Sequence, residues 1–250
     1  MLSKWLGNPT PWHGHYYALL ALPLVAVSQL ALLRYARFDT TAGISLCTVA
    51  VGAFLVKLHA SVATAVNVSL LFLWGVRVLV KGIPTPREYV MPPSTCELAF
   101  NKTLWVWLMA TPTVFAVCVD KHEIAEGWSV LLGVCLCVST LILDFLEKST
   151  SDGSGTYTRN PYAFSAVSIS WGLWTIHPVW ATFFCPNLFS CLVLFAPGGT
   201  AWVEARRRTR DLRDSAVHEY RRTTSPFFPM PPGVYEQVPR AVKRLMCFDF

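Results

Sequence analysis

An arginine and an asparagine stand directly before a proline in the stretch GTYTRNPYAFSAVSISWGLW, which then continues to its end without a charge. Arg159 could bind a phosphate group through paired hydrogen bonds, and the free N–H groups at the start of a helix would complete such a site. The same residues also suit a local role, because Asn160 is a preferred N-cap and Pro161 loses no hydrogen bond at the first helical position. The sequence therefore predicts that a helix begins here, with either a cofactor site or only a cap at its end.

Other polar groups could also take part in chemistry. His177 lies inside an apolar window, where it could donate a proton or, as we expect, pair with the carbonyl of a neighbouring helix. Asp144 could act as an acid, but its place at the end of an apolar window favours a solvated helix end. His13 and His15 could bind a metal only with a third ligand, and none is near in the sequence, so we expect no metal site.

The elements that position these residues are predicted to be membrane helices. Hydrophobic residues make up 53% and charged residues 14% of the 250 residues, and the mean hydropathy is +0.42. A spanning helix needs about 20 mostly apolar residues, with about 17 as the lower limit. Uncharged windows of this kind cover residues 16–33, 40–56, 60–76, 103–119, 127–143, 161–183 and 186–203. We predict an all-α, polytopic membrane helix bundle of six to seven transmembrane helices with a basic C-terminal tail.

The windows 40–56 and 60–76 leave one ambiguity in this count. Only residues 57–59 separate them, so they form either a tight helical hairpin or one full span beside a partly inserted segment. The cysteines do not resemble a disulfide framework, because most lie in or beside apolar windows, where a free thiol behaves as a small hydrophobe. Cys135 and Cys137 should point to nearly opposite faces of their helix. No internal repeat is recognisable in the sequence.

The positive charge is concentrated at the end of the chain. We predict a transmembrane bundle over residues 1–203 and a basic, proline-containing interfacial tail over 204–250, which holds ten basic residues against six acidic ones. Since positive flanks remain on the cytoplasmic or matrix side, this tail and the loop 144–160 should lie on that face. Anionic lipid is a suitable partner for the charge. Nucleic acid is not an expected partner, because no nucleic-acid-binding fold accompanies the charge.

Two stretches resemble segments of the steroid 5-alpha-reductase-like membrane reductases. GTYTRNPYAFSAVSISWGLW is similar to the family's Gly-Leu-Trp-x-x-Ser-Arg-His-Pro-Asn-Tyr-x-Gly-Glu, which is followed by Trp-x-Gly. LFAPGGTAWVEARRRTRDLRDSAVHEYRRTTSPFFPMPP is similar to Ser-Gly-Ile-Pro-x-x-Glu, a basic helix and Tyr-x-x-x-Thr-Ser-x-Phe-x-Pro. The resemblance covers most of residues 70–232. The related isoprenylcysteine methyltransferases share the Arg-His-Pro pattern but usually carry a paired glutamate where this chain has a single one.

The resemblance implies a membrane bundle whose loops and tail hold NADPH while a carbon–carbon double bond next to a carbonyl is reduced. The family pattern matches this chain at Arg159, Pro161, Glu204 and Tyr220. The resemblance makes Arg159, Asn160, Tyr162, Glu204 and Tyr220 the candidate cofactor-binding residues. Considered without the resemblance, Glu204 and the arginines that follow it are equally consistent with an interfacial network of charges. The physical basis for a cofactor role is that arginine and helix N-termini both bind phosphate.

The chain departs from the family pattern where catalysis would need it. Asn160 replaces the family histidine, and Ser165 replaces a glycine. Tyr162 and Ala163 stand where the family has an asparagine and a tyrosine. Ala166 replaces a glutamate, and alanine can neither hold a nicotinamide amide nor polarise a substrate. We therefore expect no cofactor and assign no catalytic residue.

Two functions are consistent with this pattern. We expect a non-catalytic accessory subunit of a larger membrane complex, with membrane lipids and other subunits as partners, in the mitochondrial inner membrane, for example in a respiratory complex, or in the endoplasmic reticulum. The alternative is an active reductase that uses NADPH to reduce a sterol, polyprenoid or fatty enone. The segment SPFFPMPPGVY, residues 225–235, is expected to expose its aromatic side chains and dock a partner, or else to fold back on its own bundle.

Overall fold

The computed structural model describes residues 38–56, 61–82, 95–119, 127–146, 157–195, 199–201, 204–205 and 215–247. Within these ranges every regular element is helical, apart from one isolated parallel bridge between Thr158 and Ser225. The predicted all-α class is therefore confirmed for the described part of the chain.

The principal helices can be numbered in chain order. They are α1 Phe38–Val56, α2 Val62–Lys81, α3 Thr95–Val119, α4 Gly127–Leu146, α5 Pro161–Ile176, α6 Phe184–Phe195, α7 Ser215–Thr223, α8 Pro232–Gln237 and α9 Arg240–Cys247. A short 3-10 helix, Trp180–Thr182, lies between α5 and α6.

Helices α2 and α4 are long and apolar enough to span a membrane, with 20 residues each. At about 1.5 Å per residue such a helix is about 30 Å long, which equals the thickness of a bilayer's hydrocarbon core. Shorter apolar helices cover Thr40–Ala53, Thr103–Val117 and Trp180–Phe195. The larger number of spans stays a prediction, and the first window, 16–33, lies outside the described residues.

The ambiguous region between residues 40 and 80 forms two separate helices, α1 and α2. Helix α2 begins after Ser61, whose hydroxyl accepts a hydrogen bond from the N–H of Thr64 at 3.3 Å. It ends at Gly82, which has a φ of 74° in the left-handed region that favours glycine. The N–H of Gly82 donates to the carbonyl of Val78 at 3.0 Å, so that a carbonyl of the last turn is satisfied.

Helix α5 is shorter than the window 161–183 predicted. It ends at Ile176 because Pro178 lacks an N–H group and disfavours a helical backbone at the residue before it. The chain then turns through the 3-10 helix, and α6 begins at Phe184. The indole Nε1 of Trp174 donates to the carbonyl of Val179 at 3.1 Å, which ties the end of α5 to the turn.

The chain divides into two compact units, residues 1–83, 91–137 and 169–189 in the first and residues 84–90, 138–168 and 190–250 in the second. The largest fully buried side chains of the first unit are Leu46, Leu71, Trp74, Leu108, Met109, Ile169, Leu173, Ile176 and Phe189. In the second unit, Tyr235 is fully buried. The predicted division into a bundle and a tail at residue 203 stays a prediction.

Helices α1 and α2 approach closely at a glycine contact in the first unit. A Cβ atom on Gly43 would lie 2.5 Å from Cγ of Leu79 and 2.9 Å from the carbonyl oxygen of Gly75. A Cβ atom on Gly75 would lie 2.8 Å from Sγ of Cys47. The Cys47 thiol donates to the carbonyl of Phe72, with the sulfur 3.8 Å from the oxygen. Larger side chains at the two glycine positions would therefore push the helices apart.

Helices α4 and α5 repeat this arrangement. A Cβ atom on Gly133 would lie 2.6 Å from Cγ1 of Ile176 and 2.7 Å from the carbonyl oxygen of Gly172. A Cβ atom on Gly172 would lie 2.4 Å from Sγ of Cys137. The Cys137 thiol in turn donates to the carbonyl of Ile169, with the sulfur 3.9 Å from the oxygen.

Both contacts share one pattern of residues. The first helix carries Gly-x-x-x-Cys, the second carries a glycine, and the thiol donates to the carbonyl three residues before that second glycine. Small residues at this spacing let two helix backbones approach closely in a membrane. The structure thus contains a repeated packing unit, although no internal repeat was recognisable in the sequence.

Helix α4 exposes one apolar face along its whole length. The exposed large side chains on it are Trp128, Leu131, Leu132, Val138, Ile142, Phe145 and Leu146. Cys135 is exposed on this face and Cys137 is buried, which confirms the prediction that the two point in different directions. Asp144 is only 4% exposed, so the expectation of a solvated helix end is wrong. Its position four residues after the buried Thr140 puts it on the buried face.

Candidate functional site

The start of α5 meets the tail of the chain within the second unit. The N–H of Arg159 donates to the carbonyl of Ser225 at 2.7 Å, and the N–H of Met230 donates to the carbonyl of Tyr157 at 3.0 Å. Residues 157–160 and 224–230 therefore run side by side. We use the name tail clasp for these two segments together with Glu204.

Charged and amide side chains connect the parts of the tail clasp through hydrogen bonds. Nη1 of Arg159 forms an ion pair with Oε2 of Glu204, and Nε of Arg159 donates to the carbonyl of Thr224 at 3.0 Å. Nδ2 of Asn160 donates to Oε1 of Glu204 at 3.0 Å and to the carbonyl of Pro226 at 2.9 Å. The side chains of Arg159 and Glu204 are 4% and 12% exposed. Both carboxylate oxygens of Glu204 thus accept hydrogen bonds from the residues directly before α5.

An apolar contact holds the next part of the tail. Phe227 is buried against Ala163 and Leu194, and its ring lies 5.7 Å from that of Phe164, edge to face. Tyr235, further along, is fully buried. The expectation that residues 225–235 expose their aromatic side chains is therefore wrong for Phe227 and Tyr235. The segment folds back on its own chain, where Phe227 has apolar partners.

The end of the tail is held by weaker contacts at the surface. Arg222 of α7 forms an exposed ion pair with Glu236 of α8. Nζ of Lys243 in α9 lies 4.4 Å from the centre of the Tyr235 ring and donates to the carbonyl of Glu236 at 3.3 Å. The first contact connects α7 to α8, and the contacts of Lys243 connect α9 to α8.

The residues that the resemblance assigns to a cofactor are only partly brought together. Arg159, Asn160 and Glu204 share one network. Tyr162 lies in the first turn of α5. Tyr220 lies in α7, and its carbonyl accepts the N–H of Thr224 at 2.9 Å. Helix α5 begins at Pro161 as predicted, but the amide nitrogen of Asn160 is directed at the tail.

The side-chain donors of the tail clasp already form hydrogen bonds with other residues of the chain. A dinucleotide site needs donors that point at phosphate, whereas Nε and Nη1 of Arg159 and Nδ2 of Asn160 point at oxygen atoms of the chain itself. Ala166, at the position of the family glutamate, is fully buried and offers no carboxylate. In this arrangement the donors of Arg159 and Asn160 are engaged within the chain.

A second polar cluster lies in the core of the first unit and was missed from the sequence. Nδ2 of Asn67 donates to the carbonyl of Leu173 at 2.7 Å, and Oδ1 of Asn67 accepts from the hydroxyl of Thr113 at 2.6 Å. Nε2 of His177 lies 3.2 Å from the hydroxyl of Thr64, so the contact is with a hydroxyl where we expected a carbonyl. The three-residue spacing of Thr64 and Asn67, on one face of an apolar helix, could have revealed this cluster.

No group of three potential metal ligands occurs among the residues that the structure describes. His13 and His15 lie outside those residues, and so do Arg206 to Arg208. Comparison with protein-family models, with curated proteins and with solved structures found no match for this chain. The resemblance to the reductases therefore stays a prediction, and the function has to be inferred from the contacts above.

Proposed function

We propose that this protein is a non-catalytic integral membrane subunit built on a steroid-reductase-like helix bundle. The observation that carries the proposal is the tail clasp. Arg159, Asn160 and Glu204, which would hold NADPH in the family, bind one another and the main chain of residues 224–226. In this proposal, the residues at the family's cofactor positions hold the tail in place instead of a cofactor.

The proposed membrane location rests on the apolar helices. Helices α2 and α4 have the length of a span, and the exposed face of α4 continues from Trp128 to Leu146. A contiguous apolar surface of this length is unfavourable in water and favourable against lipid chains or another apolar helix. We extend the proposal to six or seven spans, the others being the three shorter apolar helices, α5 and the window 16–33.

The proposed role is structural, within a larger membrane complex in the mitochondrial inner membrane or the endoplasmic reticulum. A chain in which Arg159 and Asn160 are engaged by Glu204 and the tail, and in which α4 exposes a large apolar face, suits a subunit whose surface is covered by partners and lipids. We expect the protein, extracted in mild detergent, to migrate with an assembly much larger than its own 27.9 kDa chain and micelle. Migration as a lone chain on a native gel would contradict the subunit role.

The proposed lack of a cofactor gives a second expected result. Calorimetric titration of the purified protein with NADPH should show no micromolar binding, because the donors of Arg159 and Asn160 are engaged by Glu204 and the tail. Arg222→Gln is the matched control, since it removes an arginine from an exposed ion pair. Micromolar binding that persists in the control and disappears in Arg159→Gln would return the protein to the reductases.

The alternative function is an active NADPH-dependent reductase of a sterol, polyprenoid or fatty enone. Two observations favour it. Arg159 and Glu204 converge although they are 45 residues apart in the sequence. The hydroxyl of Ser225, within the tail clasp, is buried and makes no hydrogen bond with another described residue. Turnover of NADPH with an enone substrate would establish this alternative directly.

A further inference from the structure

The last described helix, α9, carries its charge on one side. Arg240, Lys243 and Arg244 are three and four residues apart, so at about 100° per residue they fall within an arc of about 100°. The sequence RAVKRLMC contains no acidic residue. Val242 lies about 160° around the helix from both arginines. Helix α9 is therefore basic on one side and carries a valine on the other.

The outer residues of this helix are available at the surface. Arg240 and Arg244 are exposed, and neither forms an ion pair with another described residue. Val242 is also exposed, at 38%. Lys243 is the exception, because it lies over the ring of Tyr235 and so anchors α9 to α8. We use the name α9 surface for Arg240, Val242 and Arg244.

We infer that the α9 surface docks on the anionic lipid headgroups of the membrane in which the bundle is embedded. Basic residues on one side of a short helix and an exposed apolar residue on the other are typical of segments that lie in the bilayer interface. The arginines would contact the phosphate and carboxylate groups of the headgroups, while Val242 reaches toward the acyl chains.

The contacts of the tail support this docking. The tail clasp fixes residues 224–230 beside Tyr157 and Arg159, directly before the apolar helix α5. The end of a membrane helix lies at the level of the headgroups, so the tail is held at that level. Only a short stretch of chain, through α8, then separates the clasp from α9. This inference rests on the proposed membrane location but not on the proposed loss of catalysis.

Hydrogen exchange in nanodiscs tests the inference with the full-length protein. The amides of α9 should exchange more slowly in nanodiscs of phosphatidylcholine with phosphatidylserine than in phosphatidylcholine alone. An arginine near an anionic surface contributes about fivefold to the docking equilibrium, so two arginines should slow exchange by up to about 25-fold. The double variant Arg240→Gln, Arg244→Gln should lose the difference between the two lipids.

The matched control is the double variant Arg221→Gln, Arg222→Gln, which removes the same charge from α7 and should keep the slower exchange. The inference would be overturned if this control lost the difference between the two lipids to the same extent. It would also be overturned if exchange in the wild type did not depend on the lipid. If soluble phosphoserine slowed the exchange of the α9 amides in phosphatidylcholine nanodiscs, the inference would also be overturned. Such a result would show that α9 binds a free anion and not a lipid surface. Failure to enter nanodiscs would instead overturn the membrane location, and this inference with it.

Discussion

Replacement of Arg159 by methionine should lower the free energy of unfolding by about 3–5 kcal/mol and release the tail. The substitution removes the cation that faces Glu204, whose side chain is only 12% exposed, and leaves its carboxylate buried and poorly compensated. It also removes the hydrogen bond from Nε to the carbonyl of Thr224. Equilibrium unfolding in mixed detergent micelles measures the first effect. Chymotrypsin cleavage after the normally buried Phe227 measures the second.

Arg222→Met is the control for this experiment. Arg222 and Glu236 are 66% and 42% exposed, so their ion pair should contribute at most about 1 kcal/mol in water. The double variant Arg159→Met, Glu204→Gln should be more stable than Arg159→Met alone, because no charge is then left buried without a partner. If Arg159→Met and Arg222→Met lower the stability by the same small amount, the tail clasp is not structural and Arg159 is available for a ligand.

The start of the tail clasp could be predicted from the sequence, but its partners could not. Pro161 after Asn160 indicated the helix start through local preferences alone, and the structure confirms it. Whether Arg159 faces a ligand or the tail depends on residues 45 to 66 positions away in the sequence. Local physics does not determine such a contact. The burial of Phe227 was missed for the same reason, since its partner Leu194 lies in α6, 33 positions earlier in the sequence.

Uncharged apolar windows located most of the described helices but misjudged several boundaries; α3, for example, begins at Thr95, eight residues before its window. The window 161–183 has no charged residue, yet the helix ends at Ile176 because a single proline, Pro178, interrupts it. The burial of Asp144 was missed because hydropathy places a carboxylate at a helix end without telling which face it occupies. The packing of α1 on α2 and of α4 on α5 depends on which glycines meet, and a single sequence does not contain that pairing.

Replacing a glycine by alanine at the contact between α4 and α5 should lower the free energy of unfolding. The size of the decrease should depend on which atom the new methyl group contacts. In Gly133→Ala the new Cβ would lie 2.7 Å from the carbonyl oxygen of Gly172 and 2.9 Å from the N of Ile176, which are main-chain atoms. In Gly172→Ala it would lie 2.4 Å from Sγ of Cys137, the end of a side chain. Overpacking of this kind costs about 1–3 kcal/mol. We expect Gly133→Ala to be the more destabilising, as measured by equilibrium unfolding in mixed micelles.

Removal of Sγ of Cys137 distinguishes the clash in Gly172→Ala from the clash in Gly133→Ala. Cys137→Ala should relieve the clash in Gly172→Ala, so that the double variant is more stable than the sum of the single changes predicts, by about 1 kcal/mol. It should not rescue Gly133→Ala, whose clash is with the main chain. Gly52→Ala in α1 is the control, because its Cβ would meet no atom within 4 Å, and alanine is the better helix former by up to about 1 kcal/mol. Stabilisation by Gly133→Ala equal to that by Gly52→Ala would mean that only helix propensity acts at both positions, and the close approach of α4 and α5 would then be wrong.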